Sequence, residues 1–324
     1  MAWFERCAII SAALLFAPAA ALAQAFPARP LRIMVAAAPS VPHDVLARGV
    51  AEPLSRALGQ PVIVENRVGA DGIIGTEACA KAPPDGYSLC GTASGDIIWN
   101  TVLRARTLPY DAVRDFAPVM HGGFFDSALV VHPDLGVGSV AQLVELARAN
   151  PNKVNWAHFG VNSTGYMYEE WIRRSKGAPF YPVPYKTQPQ VLTALLVNES
   201  SVAVYGLTNL AAHLKAGKLK ALAVSGSRRV AFLPDVPTFE EEGIKLPLRT
   251  WFGYHYQAGV PRAIVGRVNA ELRRVWDQPA FGAAVLDRLM MTPSAGSPEE
   301  FDAYIRAQIA AVKELVGYIG LKPE

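Results

Sequence analysis

The chain reads as an α/β protein, with mostly parallel sheets covered by helices on both faces. Three observations lead there. Short apolar runs alternate with amphipathic stretches almost throughout. The composition, 51% hydrophobic and 18% charged over 324 residues, is ordinary for a globular chain long enough for two domains. No flexible linker, internal repeat or low-complexity segment breaks the alternation, which suits a chain that crosses between two lobes more than once.

Taken in order, the first element is an expected export signal. After Arg6 comes "CAIISAALLFAPAAALA", an apolar run ending in small residues. It predicts a signal peptide over 1–23, cleaved near Ala23 at the A-x-A-like Ala21-Leu22-Ala23. Pro18 interrupts the run and argues against a membrane anchor. Next, "LRIMVAAA" (31–38) reads as a buried strand, followed by a helix from about Asp44 with Leu46, Val50, Leu54 and Leu58 on one stripe. Pro53 is expected to kink that helix. "PVIVEN" (61–66) and "YSLCGT" (87–92) are strands, with a helix through Thr76–Ala82 between them. Ser139 with Gln142, and Ser297 with Glu300, have capping-box spacing; Asn150-Pro151 stops the first of these helices. The second should run to about Val316. "KLKALAVSG" (218–226) and "TWFGYHYQAG" (250–259) are further strands.

"FGVNSTGYMY" (159–168) nearly matches a phosphate loop, with Gly160 and Gly165 at the right spacing. Yet Tyr166 stands at the lysine position and Met167 at the magnesium-binding hydroxyl, so nucleotide hydrolysis loses its main supports. An anion needs neither. A helix N-terminus presents unsatisfied N–H groups and a partial positive charge. "VNWA" (154–157) predicts a strand and "YMYEEWIRR" a helix, which makes this stretch a strand-to-helix turn. Ser163 and Thr164 either cap the helix or donate to a ligand, and Gly165 allows close backbone approach. In that helix Glu169 with Arg173 and Glu170 with Arg174 are spaced for i,i+4 pairs on an exposed face. "AAAPSVPHD" (36–44) is a second such turn, and two turns facing one crevice would clamp an anion.

Together, "FPARPLRIMV", "LGQPVIVENRVGADGIIG", "APPDGYSL", "LPYDAVRDFAPV", "VPYK", "LKAGKLKALAVSGSRRVAFLPDVPTFEEEG" and "SPEEF" resemble the Bug family of periplasmic solute receptors, the binding component of tripartite tricarboxylate transporters. The resemblance runs from about residue 26 to 320. It implies a two-lobed Venus-flytrap fold, with lobe 1 formed by 24–124 plus 251–324 and lobe 2 by 125–250. It also implies a small carboxylate ligand held between the lobes, a periplasmic location, and delivery to a membrane permease. A sensor kinase is the alternative docking partner. No cofactor is implied, and a monomer is expected.

The ligand set carried over from the resemblance is Ser40, Val41, Asp44, Ser94, His158, Ser163, Thr164, Gly165, Tyr166, Lys186 and Tyr205. Several of these depart from the family pattern. Its first ligand loop reads P-G-G-x-x-D; here Ser40 and Val41 replace the glycines and Asp44 is kept. Its second reads S-x-G-x-G-S-x-x-H; here His158, Asn162 and Tyr166 replace the first serine, the second glycine and the histidine. Thr187 stands where a glycine follows "VPYK", and Tyr205 where many members carry an aspartate. Bulky groups thus replace small or acidic ones. This points to an aromatic or otherwise flat carboxylate stacked by Tyr166, Phe159, Tyr205 or Trp99; a narrower site for a smaller ligand, or a decayed site, are the alternatives.

Other classes have less support. The net charge of +3 persists after removal of Glu5 and Arg6 with the signal, and no dense Lys/Arg block suggests nucleic acid. The histidines are scattered and the mature cysteines are not C-x-x-C, which disfavours a metal site. There is no G-x-S-x-G. A hydrolase built from Ser163, His158 and Asp44 is the distant alternative to binding. Cys79 and Cys90 are candidates for a disulfide in an oxidising compartment, with two buried thiols as the equal alternative.

Overall fold

The computed structural model describes residues 26–104, 107–161, 163–230, 232–246 and 248–322. The expected signal at 1–23, its cleavage point near Ala23, and Asn162 lie outside them. The chain begins β1 (Leu31–Val35), α1 (Pro42–Leu58), β2 (Val62–Asn66), α2 (Ile73–Ala80), β3 (Ser88–Ala93), α3 (Asn100–Leu103) and β4 (Phe116–Phe125). It continues through β5 (Ser127–Val131), α4 (Val140–Ala149), β6 (Asn155–His158), α5 (Thr164–Lys176), β7 (Tyr181–Pro184), α6 (Gln188–Leu196), β8 (Val202–Gly206), α7 (Leu207–Lys215) and β9 (Lys220–Val224). Last come β10 (Thr250–Gln257), α8 (Arg262–Trp276), α9 (Pro279–Phe281), β11 (Met291–Pro293) and α10 (Pro298–Ile319).

These strands form two sheets, ordered β11-β4-β10-β3-β1-β2 and β7-β6-β8-β5-β9. Both are mixed. Parallel pairs join β1 to β2 and β3, and β6 to β7 and β8. The antiparallel partners are the strands on which the chain changes sheet. β4 leaves the first sheet and β10 returns to it, so they run in opposite directions and pair along their length. β5 starts where β8 ends, with Ser127 opposite Gly206, and is therefore antiparallel to it.

Local chemistry explains the helices. α1 buries Leu46, Ala47, Val50, Leu54 and Leu58 on one face, runs on through Pro53, and ends at Gly59 in the left-handed region, φ 69°. Ser139 caps α4 by accepting from the Gln142 N–H, but the Gln142 side chain reaches back to Gly138 rather than to Ser139. The Ser297 box is reciprocal: Glu300 N–H donates to Ser297 Oγ at 3.1 Å and Ser297 N–H to Glu300 Oε2 at 2.7 Å. From there α10 buries Phe301, Ile305, Ile309, Val312, Leu315, Val316 and Ile319. That stripe belongs to one apolar cluster with Trp156, Met167 and Ile172 beside the second sheet and Ile97 and Trp99 beside the first. Cys79 on α2 and Cys90 on β3 are joined by a disulfide, their Cα atoms 5.9 Å apart.

Of the pairs expected on an exposed face of α5, ion pairing occurs for Glu170 alone, which accepts from Arg173 Nε at 3.1 Å and lies 3.5 Å from Arg174 Nε, but Glu170 too is buried. Glu169 is fully buried and neither of its oxygens has a partner. The reason is tertiary: α10 packs across α5, covering a face that would be wet on an isolated helix. Burial, reinforced by the Glu170 charge, raises the Glu169 pKa from 4.5 to about 8.

Both sheet crossings meet at one buried acid. Asp126 lies between β4 and β5, and Arg249 immediately precedes β10. Asp126 Oδ1 accepts from Arg249 Nη2 at 2.8 Å and from Ser225 Oγ at 3.1 Å; Oδ2 accepts from Thr292 Oγ1 at 2.6 Å. The Arg249 guanidinium also stacks 3.6 Å from the centre of the Phe124 ring.

Asp126→Ala should cost about 3–5 kcal/mol, read by denaturant unfolding, because it leaves a half-buried guanidinium without its carboxylate. Glu169 carries an opposite expectation. The folded chain keeps this proton up to about pH 8 while the unfolded chain releases it near 4.5. Stability therefore falls as pH rises through that window. Glu169→Gln should melt higher than the parent near pH 8 and within a degree or so of it near pH 4.

Candidate functional site

The turns that follow β1, β3, β6, β7 and β8 gather around one cavity of about 360 Å³. From the first sheet come Val41, Pro42 and His43 at the start of α1, with Ala93 at the end of β3 and Asp96 after it. From the second come Phe159, Thr164 and Gly165 at the start of α5, Gln188 at the start of α6, and Val204, Tyr205 and Gly206 at the end of β8. The crossing strands form the floor with Phe125, Ser127, Thr250 and Phe252. This is where ligands bind in open α/β sheets, beyond the carboxyl ends of the strands.

Several helices therefore aim their N-termini at one space. Val41 gives α1 no side-chain cap. Ser163 caps α5 by accepting from the Tyr166 N–H at 3.3 Å, which leaves the peptide groups of Thr164 and Gly165 at the cavity. Gly206 precedes α7 with no side chain to offer. Gly165 does not owe its place to crowding: a Cβ there would meet the Val204 carbonyl oxygen at 3.4 Å and His158 at 3.7 Å, ordinary van der Waals contacts. Partial positive charge from these termini is the attraction the cavity offers an anion, since no lysine or arginine is among its described lining residues.

Of the residues proposed from the sequence, Val41, Thr164, Gly165 and Tyr205 line the cavity, as does Phe159. The rest are engaged in holding the loops. Ser40, at φ 69°, donates its N–H to Asp44 Oδ2 at 2.8 Å. Asp44 also accepts from Arg48 Nε at 3.0 Å and Asn66 Nδ2 at 2.8 Å. Burial works to raise the Asp44 carboxyl, but Arg48, Ser40 and Asn66 together hold it below its usual value. Ser94 Oγ accepts from the Trp251 N–H at 3.4 Å. His158 Nδ1 accepts from Gly160 N–H at 3.2 Å, and burial lowers its pKa. Ser163 Oγ donates to the Gly160 carbonyl at 2.7 Å. Lys186 is exposed and donates its backbone N–H to Gln190. Ser163, His158 and Asp44 thus each bond elsewhere, with no hydrogen bond joining any two of them among the described residues.

The aromatic set also differs from expectation. Tyr166 packs on His158, ring centres 5.0 Å apart, and Trp99 is buried in the main apolar cluster. Neither lines the cavity. Tyr205 presents its ring, while its hydroxyl donates to the Gln188 carbonyl at 3.0 Å. The walls that sequence reasoning missed are Phe125 and Phe252, on the strands where the chain changes sheet. His43 stacks on Phe252 with centres 4.7 Å apart, and burial pushes its pKa down to about 4, so it is neutral. Asp96 was missed as well. Its one signal was an acidic residue three positions past a strand end, in "TASGD".

Two mixed sheets flanked by helices and meeting at a shared crevice define the periplasmic binding protein class. Within it, the family model described as "Tripartite tricarboxylate transporter family receptor" matches residues 46–321, and the chain belongs to that family of solute-binding receptors. It is 30% identical to Protein BugT of Bordetella pertussis, over 93% of this chain and 92% of that protein. Among solved structures it is similar to R. palustris Rpa4515 with adipate, at TM-score 0.80 and 28% identity, covering 92% of this chain and 100% of that one. It is also similar to MatC from Rhodopseudomonas palustris with bound malate, at TM-score 0.74 and 26% identity, covering 90% and 100%.

Gly206 tests the cavity directly. A Cβ there would fall 2.6 Å from Phe125 Cε1, so a side chain must displace that ring. Gly206→Val should weaken binding of a carboxylate that the parent protein binds by about tenfold in calorimetry, at a strain of roughly 1–3 kcal/mol.

Proposed function

We propose that this protein is an exported receptor that closes on a carboxylate-bearing solute with an aromatic or otherwise flat apolar body. It then presents the closed form to a membrane permease. One lobe comprises 24–124 plus 251–324 and the other 125–250, and the signal is removed near Ala23. The observation that carries this reading is the convergence of helix N-termini from both sheets on a cavity walled by Phe125, Phe159, Phe252 and Tyr205. The peptide N–H groups suit the carboxylate, and the rings suit the body. Adipate and malate in similar receptors support the carboxylate part of the reading.

Closure strengthens the polar contacts by excluding water, so affinity and lobe movement are coupled. A thermal-shift screen of the chain from residue 24 onward, with benzoate, adipate, malate and succinate, tests the reading. A bound acid at one hundred times its Kd adds about 2.7 kcal/mol to stability. Benzoate-like acids should raise the melting temperature most. Shifts with succinate and malate but none with benzoate would remove the aromatic assignment. No shift with any acid would remove the carboxylate assignment.

A further inference from the structure

We propose that Asp96 is the side chain with which the cleft reads its ligand, its free carboxyl oxygen sharing a proton with a carboxylate oxygen of the bound solute. The inference deepens the carboxylate reading of the cleft and rests on it. Asp96 lines the cavity on the turn after β3, only 6% exposed. Its Oδ2 accepts from the Ala93 N–H at 2.8 Å, while Oδ1 has no protein partner among the described residues. The position is built. Gly72, at φ 86°, leaves room for the carboxyl group, since a Cβ there would stand 2.2 Å from Oδ1. The Tyr110 hydroxyl donates to the Asp96 carbonyl oxygen at 2.5 Å and fixes the turn.

Among the described residues, no cation neutralises this acid. On α1, His43 is neutral and Asp44 is paired with Arg48. In the turn before α2, Asp71 pairs with Arg104 at 2.6 Å; on α2, Glu77 pairs with Lys81. Burial pushes the Tyr110 and Tyr304 phenols upward, so both are neutral. The buried face of α10, which packs over the turn, is wholly apolar. Thr250 and Phe252 on β10 carry no charge. Burial accordingly raises the Asp96 pKa to about 7, against a smaller opposing effect of the Ala93 N–H. A protonated Asp96 donates a strong O–H···O⁻ bond to an anion, whereas an ionised one repels it.

The test is calorimetric titration of the chain from residue 24 onward, and of Asp96→Asn and Asp96→Ala, with adipate, malate and benzoate. With a pKa of about 7, affinity for the tightest of these should fall about 30-fold between about pH 6 and pH 8.5 in the parent. Asp96→Asn, which keeps a donor, should bind within a few-fold of the parent near pH 6 and show a flat profile. Asp96→Ala should bind about tenfold more weakly there. Melting temperatures check that both variants are folded. Parent affinity that is flat across this range, or unchanged in Asp96→Ala, would overturn the role of Asp96 and leave the carboxylate cleft standing. Affinity that rises with pH, or that is lost near pH 6 in folded Asp96→Asn, would also overturn it, because neither result fits a neutral carboxyl donating to an anion. If none of the acids binds any of the chains, the carboxylate reading falls and the proposal falls with it.

Discussion

Asp126 is where the two halves of the molecule are tied. Its carboxylate takes Arg249 from one crossing, Ser225 from the edge of the second sheet, and Thr292 from β11 of the first. Its own carbonyl oxygen accepts the N–H of Leu207 at the head of α7. A carboxylate this buried is costly unless each lone pair is answered, and here donors reach it from both sheets. The consequence is geometric. Phe125 and Ser127 on one crossing, and Thr250 and Phe252 on the other, are held side by side and become the cavity floor. Every wall of the cleft is positioned relative to that floor.

Above it, charge recognition is assigned to the backbone. The polar side chains nearest the turns are engaged in shaping them: Ser163 on Gly160 and Tyr166, Asp44 on Ser40, Arg48 and Asn66, His158 on Gly160. What remains facing the cavity is helix-terminal backbone and aromatic surface, with Asp96 the one acid among the described lining residues. A helix terminus contributes roughly 0.3–1 kcal/mol to an exposed anion and up to about 2 in a partly buried geometry. Several converging termini can therefore stabilise a carboxylate without a lysine, whose removal from water would itself be costly.

How far the sequence reveals this depends on the range of the interactions involved. Caps are local, so Ser139, Ser163 and Ser297 were legible from spacing alone, as were the strand-to-helix turns they open. The shared crevice was legible through the family resemblance, since the order of turns is a property of topology. Side-chain engagement was not. Ser163 and Asp44 have the chemistry of ligand contacts, and only their local geometry shows them bound to their own loops. Glu169 sits at an i,i+4 spacing to Arg173 that normally marks a wet face; it is dry because α10, well over a hundred residues later, lies across it. Phe125 and Phe252 read as ordinary strand interior, because nothing in a run of aromatics says which ring will border a void. The mixed sheets were hidden for a related reason: strand direction is set by where the chain leaves and re-enters a lobe, and periodicity carries no direction.

Asp96 shows how specificity arises from that same remoteness. An aspartate after a strand is unremarkable in sequence, and in water it would be ionised and of the wrong sign for this cleft. Tyr110 on one side, Gly72 on another and the apolar face of α10 behind it remove solvent without supplying a cation. Desolvation alone converts an acid that repels anions into a donor that can bind one. A cleft whose termini already attract any carboxylate needs a directional contact to choose among them. A neutral carboxyl meets that need at smaller desolvation cost than a buried lysine, and below about pH 7 it stays protonated because its surroundings keep water away. The chemistry of the site and the tie at Asp126 are in this sense one constraint, because the first exists only in the geometry that the second maintains.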